Sequence, residues 1–225
     1  MGNVVWNRVS SRQRAYRTPV EFDAIIRKPM KLPLLVLLAA CLVPVFGCGQ
    51  KKAAPIVVLG PGPVPDFSLV DQDGNTFHST DLKGKPYVIS FFFTSCQTIC
   101  PTIMGSMQKL QAHLTEQKLD VHLVSITVDP VTDTPERLKE TGTRYQVDST
   151  RWHLLTGTEA AVEDVVIHKF KTYLGKKTTR DGVMDIGHGG HLLLIDGKGR
   201  MRGKAFEASP EGVDQLMRTV QRLNR

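Results

Sequence analysis

Residues 88–101, Val-Ile-Ser-Phe-Phe-Phe-Thr-Ser-Cys-Gln-Thr-Ile-Cys-Pro, constrain this chain more than any other stretch. Val88 to Phe93 is a nearly unbroken apolar run, rich in aromatic and β-branched residues. Such a run reads as a strand buried on both faces, at the centre of a sheet. Thr94 and Ser95 end it, and Ser95 or a neighbour is placed to cap a helix. Cys96 and Cys100 follow, four positions apart. Helical residues at that spacing share a face, with Cβ atoms roughly 5–6 Å apart. A slightly irregular first turn would let the sulfurs close as a disulfide, or share one soft metal ion. A helix N-terminus also lowers a thiol's pKa, because unpaired N–H groups and the macrodipole favour the thiolate. The plainer alternative is a structural disulfide or two inert core thiols. Delivery of the pair by a buried strand to a helix start, where sites collect in α/β sheets, weighs against it.

The chain has 225 residues, which suits a leader plus one domain of ordinary size. Its net charge of +7 divides unevenly. Residues 1–47 hold seven basic residues (Arg8, Arg12, Arg14, Arg17, Arg27, Lys28, Lys31) and two acidic ones (Glu21, Asp23). That leaves 22 basic against 20 acidic residues, or +2, for residues 48–225. The basic character therefore owes much to the leader, and no basic patch interleaved with aromatics appears. Nucleic-acid binding is set aside.

Leu32 to Phe46 is apolar but short, and is interrupted by Pro33 and Pro44. A bilayer span needs roughly 18 or more apolar residues, so this stretch fits a signal-peptide core behind Arg27, Lys28 and Lys31. Residues 1–47 are read as leader, with the true start at Met30. The leader ends Val45-Phe46-Gly47-Cys48-Gly49, which resembles a bacterial lipobox with Cys48 as the lipidated residue. Residues 48–63, rich in proline and glycine towards their end, then form a lipidated tether. Cys41 leaves with the leader, so only Cys96 and Cys100 remain in the domain at 64–225. The expected location is exported: a membrane-anchored lipoprotein facing the periplasm or the cell exterior. A bare cysteine pair there tends to close unless reduced.

Along the domain, Phe67 to Phe77 reads as a hairpin turning at Asp73-Gly74. Helices are expected over 99–117, from Thr134-Pro135-Glu136, over 158–173 and over about 209–223. Strands are expected at 121–129, 152–155, 191–195 and 200–206, with a long polar loop at 175–187. This order gives an α/β class: a thioredoxin-like fold, a central mixed β-sheet flanked by helices, with an N-terminal β-hairpin extension. The loop ends Asp185-Ile-Gly-His188-Gly-Gly-His191 just before a strand. In thioredoxin-like folds that place faces the cysteine pair and usually carries a cis-proline, which is missing here.

The chain resembles the Sco/SenC family of copper-binding, thioredoxin-like proteins that assist cytochrome c oxidase assembly. The resemblance rests on Phe93-Thr-Ser-Cys-Gln-Thr-Ile-Cys-Pro101, on Ser125-Ile-Thr-Val-Asp-Pro130 with Asp133-Thr-Pro-Glu136, on Leu155-Thr-Gly-Thr158, and on His188. It implies copper, Cu(I) or Cu(II), held by Cys96, Cys100 and His188. It also implies a metallochaperone role toward the dinuclear copper site of cytochrome c oxidase, or toward another cuproprotein. One departure stands out: the family often has Asp-His before the strand, whereas Gly187 precedes His188 here. Asp129, at the end of its strand, is expected either behind the metal site or as a helix cap. His191 is the alternative imidazole, but a strand starting at 191 turns it elsewhere. His78, His113, His122, His153 and His168 read as surface or satisfied core. The competing function is a thiol-disulfide oxidoreductase that reduces a cuproprotein's cysteines. It uses Cys96 and Cys100 but not His188. A peroxidase-like thiol enzyme has no local motif.

The leader reading makes a direct prediction. Mass spectrometry of membrane-extracted protein should find a multiply acylated Cys48 as the mature N-terminus, since one acyl chain alone anchors only marginally. An unmodified N-terminus beyond Pro55 would refute it.

Overall fold

The apolar run behaves as its composition dictates. In the computed structural model, which describes residues 62–180, 183–205 and 209–223, strand β3 (Tyr87–Phe92) is buried at every position. It lies in a seven-stranded mixed sheet of order β2-β1-β5-β4-β3-β8-β9. The other strands are β1 (Ser68–Asp71), β2 (Thr76–His78), β4 (His122–Thr127), β5 (Trp152–Thr156), β8 (Leu192–Ile195) and β9 (Met201–Ala205). β3, β4 and β5 run parallel, joined by helices α1 (Cys100–Glu116) and α2 (Pro135–Arg144). β8 returns antiparallel to β3, β9 pairs antiparallel with β8, and α4 (Pro210–Leu223) ends the domain. The N-terminal hairpin joins the sheet through antiparallel pairing of β1 with β5. The expected thioredoxin-like architecture with its added hairpin is thus observed.

α1 buries Ile103, Met104, Met107, Leu110 and Leu114, a helical stripe in which the methionines are core. Pro135 opens α2 behind Thr134, whose hydroxyl accepts from the Arg137 N–H. The chain divides into two units, Met1–Lys52 and Ala53–Arg225, and only the second contains described residues. The leader, Cys48 and most of the tether lie outside them. No helix among the described residues is long and apolar enough to cross a membrane.

Two expectations need correction. The helix read over 158–173 is regular only over α3 (Glu159–Glu163), then widens into a π-helical segment over Asp164–Lys169. Apolar spacing alone does not register this change of pitch. Phe170 closes it, with its ring edge-on to Phe67 and Phe91. The larger correction is the polar loop. Within it, β6 (Leu174–Arg180) and β7 (Val183–His188) pair antiparallel as a hairpin of their own. Its strands carry too little apolar alternation to read as strands.

A short polar chain crosses the buried centre of the sheet. The Ser90 and Ser125 hydroxyls lie 2.8 Å apart on paired strands, and the Trp152 indole N–H donates to Ser125 over 3.0 Å. All three residues are fully buried, so an unpaired group there costs about 1–3 kcal/mol. Ser125→Ala orphans both neighbours, whereas Ser90→Ala orphans only one contact. In urea unfolding, Ser125→Ala should therefore lose about 2–4 kcal/mol and Ser90→Ala less. The reverse order would rule out the network.

Candidate metal and thiol site

The site begins where β3 runs out. Phe93 is buried, and Thr94 then turns onto Asp133: its N–H and its hydroxyl both donate to that carboxylate. Thr127, the last residue of β4, donates to the same group. The Arg137 guanidinium stands 4.0 Å away and donates to the Thr94 hydroxyl oxygen. Asp133 thus ties β3, β4 and α2 together two residues ahead of Cys96. Sequence reading had it only as part of a motif, with no role.

Cys96 and Cys100 do not share a helix face. Cys100 opens α1, while Cys96 lies in the preceding loop. Ile99 is the formal cap and makes no side-chain bond, and the Ser95 hydroxyl is buried without a partner. The capping contact comes from sulfur instead: the Cys100 N–H donates to Cys96 Sγ over 3.4 Å. The Thr98 hydroxyl lies 3.5 Å from the same sulfur. Both cysteines are buried free thiols.

The two sulfurs are electrically unlike. A hydrogen bond from the Cys100 thiol brings the Cys96 pKa down to about 4. Burial opposes this, while the Thr98 hydroxyl and the backbone at Thr98 and Cys100 support it. Cys100 goes the other way, far above the ordinary thiol range. Its proton is hydrogen-bonded to the Cys96 sulfur, and burial and the charges of Cys96 and Asp133 add to the effect. The pair therefore holds one proton at neutral pH, and that proton belongs to both sulfurs.

His188 is the last residue of β7, and its Nε2 lies 3.5 Å from Cys100 Sγ. Its ring packs edge-on against Phe93, centroids 5.8 Å apart. Burial depresses its pKa below the usual imidazole value, so the ring is neutral at pH 7. The Gly189 backbone and the charges of Cys96 and Asp185 pull the other way. Nδ1 is buried without a side-chain or backbone partner in hydrogen-bond geometry. His191 lines a separate cavity of about 700 Å³ with Phe170, Tyr173 and Leu193, and no cysteine lines that space. The glycine before His188 has a steric counterpart: a Cβ at 187 would stand 3.0 Å from the Tyr173 ring.

Asp129 is not the helix cap. It is buried, and its carboxylate accepts from Lys177 on β6 over 2.8 Å. Thr134, not Asp129, caps α2. Residues 129 and 177 are 48 apart, and no local pattern announces the pair. Among the described residues, no three His, Cys, Asp or Glu side chains are gathered closely enough to hold a metal ion as they stand. Cys96, Cys100 and His188 are adjacent in a chain, with Cys100 in the middle.

The SCO1/SenC family profile matches residues 62–224, nearly the whole described domain. The chain belongs to the SCO1/SenC family. Among solved structures, a SCO1/SenC family lipoprotein from Bacillus anthracis is similar at 35% identity and a TM-score of 0.66, covering 73% of this chain and 96% of that one. Bradyrhizobium japonicum ScoI, solved with copper bound, is similar at 28% identity and a TM-score of 0.59, covering 71% and 99%. BsSco, described as having a disulfide switch and as a member of the Sco family of cytochrome c oxidase assembly proteins, is similar at 25% identity and a TM-score of 0.64, covering 76% and 97%.

The asymmetry of the SCO1/SenC thiols is open to measurement. In the reduced protein, thiolate absorbance near 240 nm should keep one sulfur's worth from neutral pH down to about pH 4, then fall. Two thiolates appearing together near the ordinary value of about 8.5 would contradict the shared proton. A depressed folded pKa at Cys96 contributes most above the unfolded thiol value, and that contribution is lost as pH falls towards 4.

Proposed function

We propose that this protein binds copper through Cys96, Cys100 and His188 and serves assembly of the dinuclear copper site of cytochrome c oxidase. The observation that carries the reading is the contact of the His188 Nε2 with Cys100 Sγ, beside a second sulfur already held as thiolate. The donor set suits the ion. Two sulfurs favour soft Cu(I), and a neutral imidazole extends the set to Cu(II). An ion entering the site would displace the one shared proton, with Cys96, Cys100 and His188 as its donors. The copper-bound ScoI relative supports the metal, and BsSco supports the setting in oxidase assembly. Anchoring through a lipid on Cys48 would hold the domain at the membrane that carries such an oxidase. The lipoprotein relative from Bacillus anthracis supports that anchor.

A second reading has its own observation. Cys96 is a low-pKa thiolate beside a protonated Cys100, the pattern of an attacking and a resolving thiol. Cys96 would attack a partner disulfide, releasing one partner thiol. Cys100 would then attack the mixed disulfide, releasing the second. The partner gains two electrons from the pair, one proton from Cys100 and a second proton from solvent, and Cys96–Cys100 closes. The disulfide switch of BsSco favours this course, and it requires no imidazole.

His188 separates the two readings. His188→Ala should keep most Cu(I) binding, because two sulfurs suffice for linear coordination, and should abolish the strong thiolate-to-Cu(II) absorption. Its cysteine redox potential should move little. Cys96→Ser or Cys100→Ser should lose both properties. An unchanged Cu(II) spectrum in His188→Ala overturns the three-ligand reading. A reduced wild-type protein that binds no copper tightly leaves the oxidoreductase reading in its place.

A further inference from the structure

His188 is delivered by the β6–β7 hairpin, which pairs with no strand of the main sheet among the described residues. Of its described side chains, Ile186 is buried and Leu174 partly so. A polar attachment lies across the ladder from Ile186. Lys177 pairs with Ile186 across the hairpin, and the register slips between Leu174 and Lys177. From there Lys177 Nζ donates to Asp129 over 2.8 Å and to Thr132 over 3.2 Å. Leu174, at the other end of the irregularity, is the register partner of His188. The ion pair and the imidazole are therefore fixed to the same short piece of ladder.

The two ends of the ion pair differ in exposure. The Asp129 side chain is only 5% exposed and the Lys177 side chain 47%. A buried carboxylate needs a counter-charge, so Asp129 holds the hairpin down. A half-exposed ammonium is competed for by water and salt, so the hold is reversible. Asp129 is itself rigid. It follows β4, its N–H donates to the Thr127 hydroxyl, and its carbonyl accepts from Thr132 and Asp133. The bridge thus runs from the frame that shapes the cysteine loop to the hairpin that carries His188.

We propose that Lys177 and Asp129 form a latch that seats the β6–β7 hairpin and so places His188 against Cys100. Lys177 is a positioning residue for the imidazole, and opening the latch withdraws His188 while leaving both sulfurs in place. The consequence for copper rests on the copper-binding reading above, but the latch itself does not. A latch of this kind gives one site two coordination levels: two sulfurs when open, two sulfurs and a nitrogen when closed.

The test uses the full-length, reduced, copper-free protein. Hydrogen exchange is followed at the amides of 174–180 and 183–188, with those of β3 and α1 as internal controls for folding. Lys177→Met should speed exchange across the hairpin by roughly tenfold while β3 and α1 stay protected, and Lys177→Arg should restore it. The same proteins are then titrated with copper. Lys177→Met should weaken Cu(II) binding by roughly tenfold and leave Cu(I) binding unchanged, and should have no further effect in a His188→Ala background. Unchanged hairpin exchange in Lys177→Met overturns the latch, whatever copper does. A loosened hairpin with Cu(II) binding fully kept overturns the positioning role. A loosened hairpin in a protein whose wild type binds no copper supports the latch and sinks the copper reading.

Discussion

The buried carboxylate of Asp133 is the interaction on which the rest of the site depends. It is fully buried, where an uncompensated charge would be expensive. Three donors compensate it, from the Thr94 backbone, the Thr94 hydroxyl and the Thr127 hydroxyl, with Arg137 alongside. The Thr94 hydroxyl gives its proton to Asp133 and takes one from Arg137, so each bond polarises the next. The result is mechanical. β3 cannot continue straight past Phe93, and the chain must turn there. The turn is what allows the Cys96 sulfur to meet the Cys100 N–H at the start of α1. The position of the thiolate thus follows from a carboxylate that never touches it.

Most of the sheet was legible because burial writes itself into sequence. β3 and β8 are runs of apolar residues, and Thr134-Pro135 marks the start of α2 by hydrogen bonding and by ring geometry. The cysteines and His188 were legible as candidates because few residue types carry their chemistry. What failed to show was tertiary. The π-helical segment at 164–169 keeps apolar residues at spacings an α-helix also uses. The β6–β7 hairpin is polar because it rests on the domain and does not fill it. Ser95 has the chemistry of a cap, yet a thiol took the role, because the turn at Thr94 left the Cys96 sulfur nearer to the helix start. The Asp129–Lys177 pair spans 48 residues and two sheets, and no local pattern could announce it.

The protonation of the three proposed ligands bears on which copper ion the site would hold. At neutral pH Cys96 carries a negative charge, Cys100 a proton, and His188 none. Loading an ion requires one proton to leave, from Cys100. Two thiolates and a neutral imidazole then contribute a charge of −2. With Cu(II) the filled site is neutral, and with Cu(I) it keeps one negative charge. The surroundings are buried, and Asp133 adds its own negative charge near Cys100. Desolvation therefore favours the neutral Cu(II) form, while the softness of sulfur favours Cu(I). The imidazole tips this balance, since it is the one donor whose removal costs Cu(II) more than Cu(I). In the proposed arrangement, the segment that moves the imidazole also selects the oxidation state. That places the choice in the attachment of a polar hairpin that pairs with no strand of the main sheet among the described residues.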